Sequence, residues 1–535
     1  MNIAEYIVKI LKSERVDTVF GYQGGNATYL IDAISREETV NYVQTYHEQG
    51  AAFAANAYAQ VSQKFGVALS SSGPGAINMI NGIANAYYDS IPCLFITGNI
   101  NTAAMRESDQ IRQNGFQEAD IIGMVKGITK YAKTIYQPEK LPEILEQALW
   151  HMREGRPGPV LLDIPHNIQR AEIKEPPVRK KFPTEEMTNI DDSVYETIYI
   201  KIKEAKRPVL LLGNGSRGEP EKMLVKAFLD CFPMPVVTSL CGKDAVPNDH
   251  PCYRGMIGSY GLPSSNRILN EADFVLALGT RMDERQRTVG VNDFLKEAEV
   301  IHVDIDKNEL GHVKKDEFCL NMSIKLFLTK FLDGIAKNTE VLYWEWTKTT
   351  KEWIQEPVAE EVLIYGSTLK KKLTEILGEI VTDSIVCVDV GNHQMAAAQI
   401  LNIGEDSRYL NSAGLGSMGY ALPAAIGAYY ASPQKKIVVI AGDGGFMMNL
   451  QELQFIKREK LPIMIIVVNN HGLGMIENYQ KLAMEGRLYG SRWGYESADF
   501  RKIVNAFDMD YLNISDKENC FLSGNSEQIL IEIEV

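Results

Sequence analysis

The strongest constraint on the fold of this sequence is an internal repeat. Residues 51–99 align with residues 421–469 without a gap when one copy is shifted by 370 positions. AAFAANAYA falls on ALPAAIGAY, GVALSSSGPG on KIVVIAGDGG, and IPCLFITGN on LPIMIIVVN. Because helix, strand, turn, proline and strand all keep one register, chance is a poor explanation, and the pattern indicates a duplicated unit.

The second copy predicts the local geometry of that unit. KKIVVIAG (435–442) is an apolar, β-branched run that ends in Gly, FMMNLQELQFIKREK (446–460) has apolar residues at helical spacing, and LPIMIIVVNN (461–470) is a second apolar run. A strand, a helix and a strand in that order form a right-handed crossover, so the two strands are parallel. We therefore expect α/β units built on parallel sheets.

The length of the chain requires several such units. A chain of 535 residues is too long for one hydrophobic core, and two polar stretches, Glu172–Ser193 and Lys337–Glu361, divide it into three segments. The middle segment contains four further apolar runs, most of which end in Gly, Ser or Asp. We predict an α/β protein with three doubly wound parallel-sheet domains at 1–172, 190–338 and 360–535, of which the first and third are the duplicated pair.

Charge and cysteine usage narrow the class of partner. A net charge of −14 argues against nucleic acid or an anionic membrane as a partner. No apolar run is long enough to span a bilayer, and the first residues read as an amphipathic helix instead of a signal peptide. We expect a cytoplasmic protein that acts on a small molecule. Its seven cysteines form no CxxC pair and are expected to be reduced core thiols, at positions 93, 231, 241, 252, 319, 387 and 520.

Two polar residues follow the predicted strands of the second copy. Asp443 and Asn470 lie at the carboxyl ends of parallel strands, where α/β sheets bind ligands. The helix that opens at Gly444–Gly445 would direct free N–H groups to the same crevice, which favours an anion. Asp, Asn and phosphate oxygens form the hard set that Mg²⁺ prefers. On spacing alone, a metal–diphosphate site and an ordinary polar turn remain equal alternatives.

Several segments taken together resemble the catalytic subunit of acetohydroxyacid (acetolactate) synthase, a family of thiamine diphosphate (ThDP) enzymes. The likeness runs in order from about residue 4 to residue 512 and includes the GDGG…NN signature of ThDP binding. It is carried by YHEQGAAFAANAYA, SSGPGAIN, FQEADIIGMVKGITK, GTRMDERQRTVG, DVGNHQMAAAQ, GLGSMGYALPAAIGA and NNHGLGMIENYQ.

The resemblance implies roles on the cofactor side. Glu48 would hydrogen-bond the aminopyrimidine ring of ThDP, and Met418, which the 370-residue shift places on Glu48, would hold the cofactor bent. Asp443, Asn470 and the carbonyl of Gly472 would hold Mg²⁺. For Glu48 the alternative is a helix-surface glutamate, which the Ala-rich and buried helix after it disfavours. Further cofactor contacts are expected from Gly24, Asn78, His393, Gln394, Gly416, Gly442, Gly444, Gly445, Phe446, Leu473, Gly474 and Met475.

The resemblance also implies a substrate side. Gly25, Gln117 and Lys130 are expected catalytic positions. Phe116, Gln117 and Lys130 would line the substrate channel, and Tyr479 would help to choose the acceptor. Arg285 would bind the carboxylate of the second 2-oxo acid. For Lys130 and Arg285 the alternative is a solvated surface cation.

A non-redox FAD is expected on the central domain. The turns of the central domain match those of the family except at one position, where Asn321–Met322 replace the family's Gly-Asp. The expected FAD contacts are Gly213, Gly215, Ser239, Leu240, Gly258, Gly279, Arg281 and Asp304.

The implied activity is decarboxylation of a 2-oxo acid, pyruvate, with transfer of the acyl carbanion to a carbonyl acceptor. Tyr479 replaces the family's Trp, Glu477 replaces a basic residue, ENCFLSGNSEQ is short, and the family's closing tail is not found after ILIEIEV. These departures suggest a ketone or keto-sugar acceptor as the alternative. A simple 2-oxo acid decarboxylase is disfavoured because the eight histidines include no adjacent pair; a flavin-dependent pyruvate oxidase and a silent homologue also stay open.

The resemblance further implies a homodimer or homotetramer, in which the first domain of one copy faces the third domain of another. Whether a separate regulatory subunit binds is left open by the sequence.

Overall fold

The computed structural model describes residues 1–108, 110–173, 190–288, 293–314, 317–335, 344–356, 358–359, 362–514 and 528–535. Within these residues the chain forms three six-stranded sheets flanked by helices, and every strand pair in them is parallel. The predicted α/β class with three doubly wound sheets is confirmed. The predicted domain boundaries fall in or beside residues outside the described part, so they stay a prediction.

The first sheet has the strand order β2-β1-β3-β4-β6-β5. Its strands are β1 (Thr18–Gly21), β2 (Asn41–Gln44), β3 (Gly66–Ser70), β4 (Cys93–Asn99), β5 (Tyr131–Thr134) and β6 (Val160–Pro165). Its helices are α1 (Ile3–Ser13), α2 (Thr28–Ser35), α3 (Glu48–Ser62), α4 (Pro74–Asn78), α5 (Ile80–Tyr88), α6 (Ile121–Val125), α7 (Leu141–Arg153) and α8 (His166–Gln169).

The central sheet has the order β12-β11-β10-β7-β8-β9. Its strands are β7 (Pro208–Leu212), β8 (Val236–Thr238), β9 (Tyr253–Met256), β10 (Phe274–Leu278), β11 (Glu299–Asp304) and β12 (Phe318–Asn321). Its helices are α9 (Asp192–Glu204), α10 (Glu219–Cys231), α11 (Pro263–Asn270), α12 (Ile324–Ile335) and α13 (Glu345–Trp353).

The third sheet has the order β14-β13-β15-β16-β18-β17. Its strands are β13 (Ser384–Val388), β14 (Arg408–Asn411), β15 (Lys436–Gly442), β16 (Ile463–Asn469), β17 (Asp510–Ile514) and β18 (Ile529–Glu534). Its helices are α14 (Gly366–Leu377), α15 (Asn392–Ile400), α16 (Ala421–Ala431), α17 (Asp443–Met448), α18 (Glu452–Glu459), α19 (Gly474–Ala483) and α20 (Phe500–Ala506).

The first and third sheets confirm the duplication. Their strand orders are the same when each sheet is numbered from its own first strand. The 370-residue shift places β4 on β16 from end to end and superposes the starts of β3 and β15. The two copies also pack together, because the Ala-rich α3 and α16 contribute to one core. A Cβ on Gly427 would lie 1.9 Å from the carbonyl oxygen of Ala54, so only glycine permits this approach.

One predicted helix is wrong as a continuous element. The run 446–460 is divided into α17 and α18, and α17 begins at Asp443. The break lies at Asn449, whose backbone leaves the helical region and whose amide donates to the carbonyl of Gly419 at 2.6 Å. A buried side-chain contact from another loop therefore overrides the helical periodicity of the sequence.

Two smaller predictions also need correction. The polar stretch 337–361, predicted as a linker, contains α13, because Trp346 is buried in the core of the central domain; the other linker, 172–193, lies mostly outside the described residues. Cys93, Cys252 and Cys387 are buried as predicted, but Cys231 and Cys241 are half-buried and Cys319 is exposed. Cys520 lies outside the described residues.

A search of the described helices finds none with the length and apolar character needed to cross a membrane.

Candidate active site

The turn after β3 gathers the predicted residues of the first domain. A Cβ on Gly24 would lie 2.5 Å from Cβ of Ser71, so the loop after β1 touches this turn through a glycine. Gly73 has φ +58°, and a Cβ there would lie 2.8 Å from the carbonyl oxygen of Gln117. The loop of Gly24 and the loop of Gln117 therefore meet at the turn 71–78, at the carboxyl edge of the first sheet.

Glu48 lies at the same edge. It is the first residue of α3, and the Asn78 amide donates to its Oε2 at 3.0 Å. A Cβ on Gly75 would lie 3.0 Å from Oε1, so the turn presses closely on the carboxylate. Glu48 is half-buried. The structure thus joins Glu48 and Asn78, two predicted cofactor contacts, and their roles toward the cofactor stay predictions.

The second group of predicted residues lies at the carboxyl edge of the third sheet. The Asn470 side-chain amide faces Gly472 O at 2.8 Å and Asp443 Oδ1 at 3.1 Å. With its nitrogen toward them, the amide donates to both; with its oxygen toward them, three oxygens converge on one point. A carboxylate, an amide and a carbonyl oxygen form the hard ligand set of Mg²⁺. The predicted metal residues therefore fit a magnesium ion.

Other metal chemistry finds less support. Among the described residues no group of three or more His, Cys, Asp or Glu side chains could hold a metal ion. Asp443 is 2 % exposed, and burial raises the pKa of its carboxyl, while a hydrogen bond from Tyr495 acts to lower it. A bound cation would favour the ionised carboxylate.

Glycines leave a cradle beside this metal set. A Cβ on Gly474 would lie 2.7 Å from the amide nitrogens of both Asn392 and Asn470, and 3.2 Å from the hydroxyl of Tyr365. A Cβ on Gly444 would lie 2.9 Å from Leu473 and 3.5 Å from the methyl carbon of Met418. Polar donors and an apolar side chain thus surround space that a side chain would fill. This donor set fits the diphosphate of ThDP. Met418 lies against the same turn, and its role in holding the cofactor bent stays a prediction.

Buried polar side chains hold the turn from behind. The Gly442 N–H donates to His393 Nε2 at 3.1 Å, and burial lowers the pKa of His393 to about 4, so the ring is neutral. Asp389 accepts from the N–H groups of Gly419 and Ala421, both at 2.9 Å, and burial raises its pKa to about 6. His393 therefore supports the turn by hydrogen bonding, and Asp389 fixes the loop that carries Met418.

The predicted substrate residues are less well gathered. The Lys130 ammonium donates to the carbonyl oxygens of Glu154 and Arg156, and burial lowers its pKa. It is not the solvated cation of the alternative interpretation, but these contacts bind it to backbone. Arg285 is exposed, as are Phe116 at 85 % and Tyr479 at 61 %. Their roles toward a substrate stay predictions.

A cavity of about 390 Å³ lies between the first and central domains, apart from the cradle beside the metal residues. Its walls include the turns that follow β7, β8, β10 and β11, at the carboxyl edge where doubly wound sheets bind nucleotides. Five predicted FAD contacts line it: Gly215, Ser239, Gly279, Arg281 and Asp304.

The other three predicted FAD contacts do not line that cavity. Gly213 packs on the loop of Gly279, with a Cβ position 2.1 Å from its carbonyl oxygen. Leu240 packs on the core of the third domain. Gly258 exchanges hydrogen bonds with the Asn266 side chain. The residues present fit a nucleotide-sized ligand, and contacts of Gly213, Leu240 and Gly258 with FAD stay a prediction.

Three residues of the site were not predicted from the sequence. Tyr365 and Asn392 face the cradle, and the Tyr495 hydroxyl donates to Asp443 Oδ2 at 3.0 Å. Tyr365 and Tyr495 lie in irregular segments with no periodicity to mark them. Asn392 could have been found, because it follows Gly391 in the GNHQ segment.

Comparison with known proteins agrees with this geometry. Family models described as the N-terminal TPP binding domain, the central domain and the C-terminal TPP binding domain of thiamine pyrophosphate enzymes match residues 1–124, 196–331 and 389–521.

Curated relatives match over nearly the whole chain. The acetolactate synthase isozyme 2 large subunit of Escherichia coli (strain K12) is 35% identical over 519 residues, 97% of this chain and 92% of the relative. The acetolactate synthase large subunit of Lactococcus lactis subsp. lactis (strain IL1403) is 33% identical over 539 residues, 99% of this chain and 92% of the relative. That of Corynebacterium glutamicum is 35% identical over 501 residues, 91% of this chain and 78% of the relative.

Proposed function

Because the chain belongs to the acetolactate synthase large-subunit family of thiamine diphosphate enzymes, we propose that it decarboxylates pyruvate and joins the acetyl unit to the carbonyl carbon of a second 2-oxo acid. With pyruvate as acceptor the product is acetolactate. The observation that carries this proposal is the convergence of Asp443, Asn470 and Gly472 beside the glycine cradle, in a chain that keeps Glu48 bound to Asn78. The relatives do not favour the ketone or keto-sugar acceptor or a simple decarboxylase.

We propose that Asp443, Asn470 and the Gly472 carbonyl hold Mg²⁺, and that the cradle around Gly474 holds the diphosphate. When bound, ThDP would supply a nucleophilic carbon that adds to the 2-oxo group and a cationic thiazolium ring that takes up the electron pair released by decarboxylation. The residues of this chain orient it. Met418 presents an apolar wall above Gly444, and neutral His393 fixes Gly442 from below.

We assign proton transfer to the carboxyl group of Glu48. Its Oε2 accepts from Asn78, which leaves Oε1 free to exchange a proton with the pyrimidine ring of the cofactor. Glu48→Gln should therefore bind ThDP and Mg²⁺ with little change and lose most of its activity. Asp443→Ala should lose Mg²⁺-dependent ThDP binding itself. Equilibrium dialysis of ThDP beside a pyruvate-consumption assay separates the two; full activity in Glu48→Gln contradicts the assignment.

We propose that the cavity between the first and central domains holds FAD in a structural role. Gly215 and Gly279 permit close approach of the ligand, and Asp304, at the end of β11, would bind a ribose hydroxyl. The purified protein should then carry flavin absorbance that Asp304→Ala weakens. Pyruvate should not bleach that absorbance at the rate of turnover, because rapid flavin reduction would indicate an oxidase.

We propose a dimer or a dimer of dimers, in which the Glu48 edge of one copy faces the Asp443 edge of another. Contacts to Glu48 come from its own domain, and contacts to Asp443 from the third. Exposed apolar side chains lie beside both edges, including Phe116 at 85 % and Leu482 at 89 %, which a second copy would cover.

Mixed subunits test this arrangement. Glu48→Gln and Asp443→Ala chains, each inactive alone, should regain activity when co-expressed, since a mixed dimer contains one intact site. A lack of recovery in isolated mixed dimers would place both residues of a site in one chain. We also propose a cytoplasmic location and, from the large-subunit names of the relatives, a smaller partner subunit.

A further inference from the structure

Residues 470–473, which include two of the proposed magnesium ligands, form a loop that we call the metal loop. Residues 488–497, which we call the covering segment, lie against this loop from outside. Arg492 Nη1 donates to the carbonyl oxygens of Asn470 at 3.0 Å and His471 at 2.9 Å. The Leu473 N–H donates to the carbonyl oxygen of Ser491 at 2.9 Å. Consecutive groups of the loop are therefore held by adjacent residues of the covering segment.

The metal loop contains a residue that needs such support. His471 lies between the two proposed ligands Asn470 and Gly472 and has φ +54°, in the left-handed region that non-glycine residues rarely adopt. Its N–H donates to Asn469 Oδ1 at 3.0 Å, and its carbonyl accepts from Arg492. The peptide groups on either side of this strained residue are thus fixed, and the next peptide group, which carries the Gly472 carbonyl, is held by the Leu473 N–H bond to Ser491.

Arg492 is itself anchored. Its Nη2 donates to Glu477 Oε2 at 2.9 Å, and Lys481 binds the other carboxylate oxygen at 2.7 Å. Glu477 is 7 % exposed, and its hydrogen bond with Lys481, together with the charge of Arg492, lowers the pKa of the carboxyl. The negative charge offsets a guanidinium that would otherwise repel a nearby cation. This gives a physical reason for an acidic residue at position 477.

The packing also explains the glycine at position 472. A Cβ there would lie 2.8 Å from the carbonyl oxygen of Ser491 and 3.4 Å from both Cζ of Arg492 and Oε2 of Glu477. The loop can lie against the Arg492–Glu477 pair only because no side chain intervenes.

We propose that Arg492 is a positioning residue of the metal site, which holds the strained turn at His471 so that the Gly472 carbonyl faces the metal, with Glu477 as its anchor. The inference deepens the proposed function and rests on its metal assignment. Arg492 does not touch the metal, so its loss should change the Mg²⁺ requirement without changing the ligand set.

The test uses the purified full-length protein and measures ThDP retained in equilibrium dialysis as Mg²⁺ is titrated. Loss of two charge-assisted hydrogen bonds in Arg492→Ala should raise the Mg²⁺ midpoint by about tenfold or more. Arg492→Lys keeps the charge but not the planar guanidinium, so its Mg²⁺ midpoint should lie between those of the wild type and Arg492→Ala. The matched control is Lys481→Ala, which removes the other cation on Glu477 but touches neither carbonyl; its midpoint should stay within about twofold of the wild type.

Reference variants keep the outcome decisive. Circular dichroism identifies any variant that fails to fold. If Arg492→Ala fails to fold, Glu477→Gln takes its place; because this change only weakens the anchor, it should shift the Mg²⁺ midpoint less, in the same direction. If Asp443→Ala keeps the wild-type midpoint, the proposed metal site is wrong. If Asp443→Ala abolishes Mg²⁺-dependent loading while folded Arg492→Ala, or its substitute Glu477→Gln, matches the wild type, the role of Arg492 is wrong and the proposed function stands.

Discussion

Glu452 offers a prediction whose size can be worked out from the structure. It is the first residue of α18 and is 0 % exposed, and the Tyr46 N–H donates to both of its carboxylate oxygens, at 3.1 Å and 3.2 Å. It therefore caps the chain just before α3, which begins at Glu48, from the other duplicated domain. A Cβ on Gly50 would lie 2.5 Å from Glu452 Oε1, which explains the glycine in HEQG.

Burial raises the pKa of Glu452 from its ordinary 4.5 to about 8, against the N–H groups of Tyr46 and His47 and the charge of Arg458, which act to lower it. A raised folded pKa stabilises the fold fully below the unfolded pKa, and this stability is lost as pH rises through the folded pKa. With these two values, the free energy of unfolding that Glu452 contributes should fall by about 2–3 kcal/mol between pH 5 and pH 7.

Glu452→Gln removes this titration, so the difference in free energy of unfolding between the variant and the wild type should change by about that amount across the interval. Buried carboxyls whose pKa is raised to about 6, such as Asp89 and Asp389, cancel in the difference. This difference is measured from denaturant unfolding at a series of pH values. The transition to follow is that of the core shared by the first and third domains. Glu375→Gln, an exposed change on α14, serves as control. Parallel pH profiles for the wild type and Glu452→Gln would refute the reasoning.

Three further predictions follow from single contacts. Asp244→Asn removes the carboxylate that binds Arg217 and Arg408, both at 2.9 Å, and should cost about 3–5 kcal/mol in denaturant unfolding, since it takes the charged partner from the buried Arg217 guanidinium; a cost near zero would contradict this. Gly474→Ala should weaken ThDP binding by about tenfold or more in dialysis, because its Cβ would lie 2.7 Å from two asparagine amides; unchanged affinity would remove Gly474 from the cradle. Tyr479→Trp should shift the product ratio from mixed pyruvate and 2-oxobutyrate while leaving ThDP affinity unchanged, and a change confined to ThDP affinity would place Tyr479 on the cofactor side.

Local patterns were enough to predict the duplicated elements. The apolar runs and the Pro and Gly residues that bound them are local signals, so the repeat placed β4 and β16 in one register without any tertiary information. The same patterns placed Asp443 and Asn470 at the ends of parallel strands, whereas the role of Glu48 came from the family resemblance.

Contacts between distant segments were beyond this kind of inference. Asn449 interrupts a helical pattern because its partner, Gly419, comes from another loop. Arg492 contacts the metal loop, and Tyr495 contacts Asp443, from a segment with no periodic pattern. The polar stretch around Trp346 forms a helix because the Trp346 side chain is buried in the core. In each case the deciding interaction joins residues whose proximity exists only in the folded chain.

The most direct test of the central claim is product analysis with pyruvate as the sole substrate. Purified protein with ThDP, Mg²⁺ and FAD should release CO₂ and form acetolactate at matched rates, and Glu48→Gln should lose most of both activities. CO₂ release that stays slow with pyruvate and rises when a ketone is added would contradict acetolactate synthesis and make the protein a carboligase for another acceptor. No ThDP-dependent CO₂ release under any of these conditions would contradict the catalytic assignment itself.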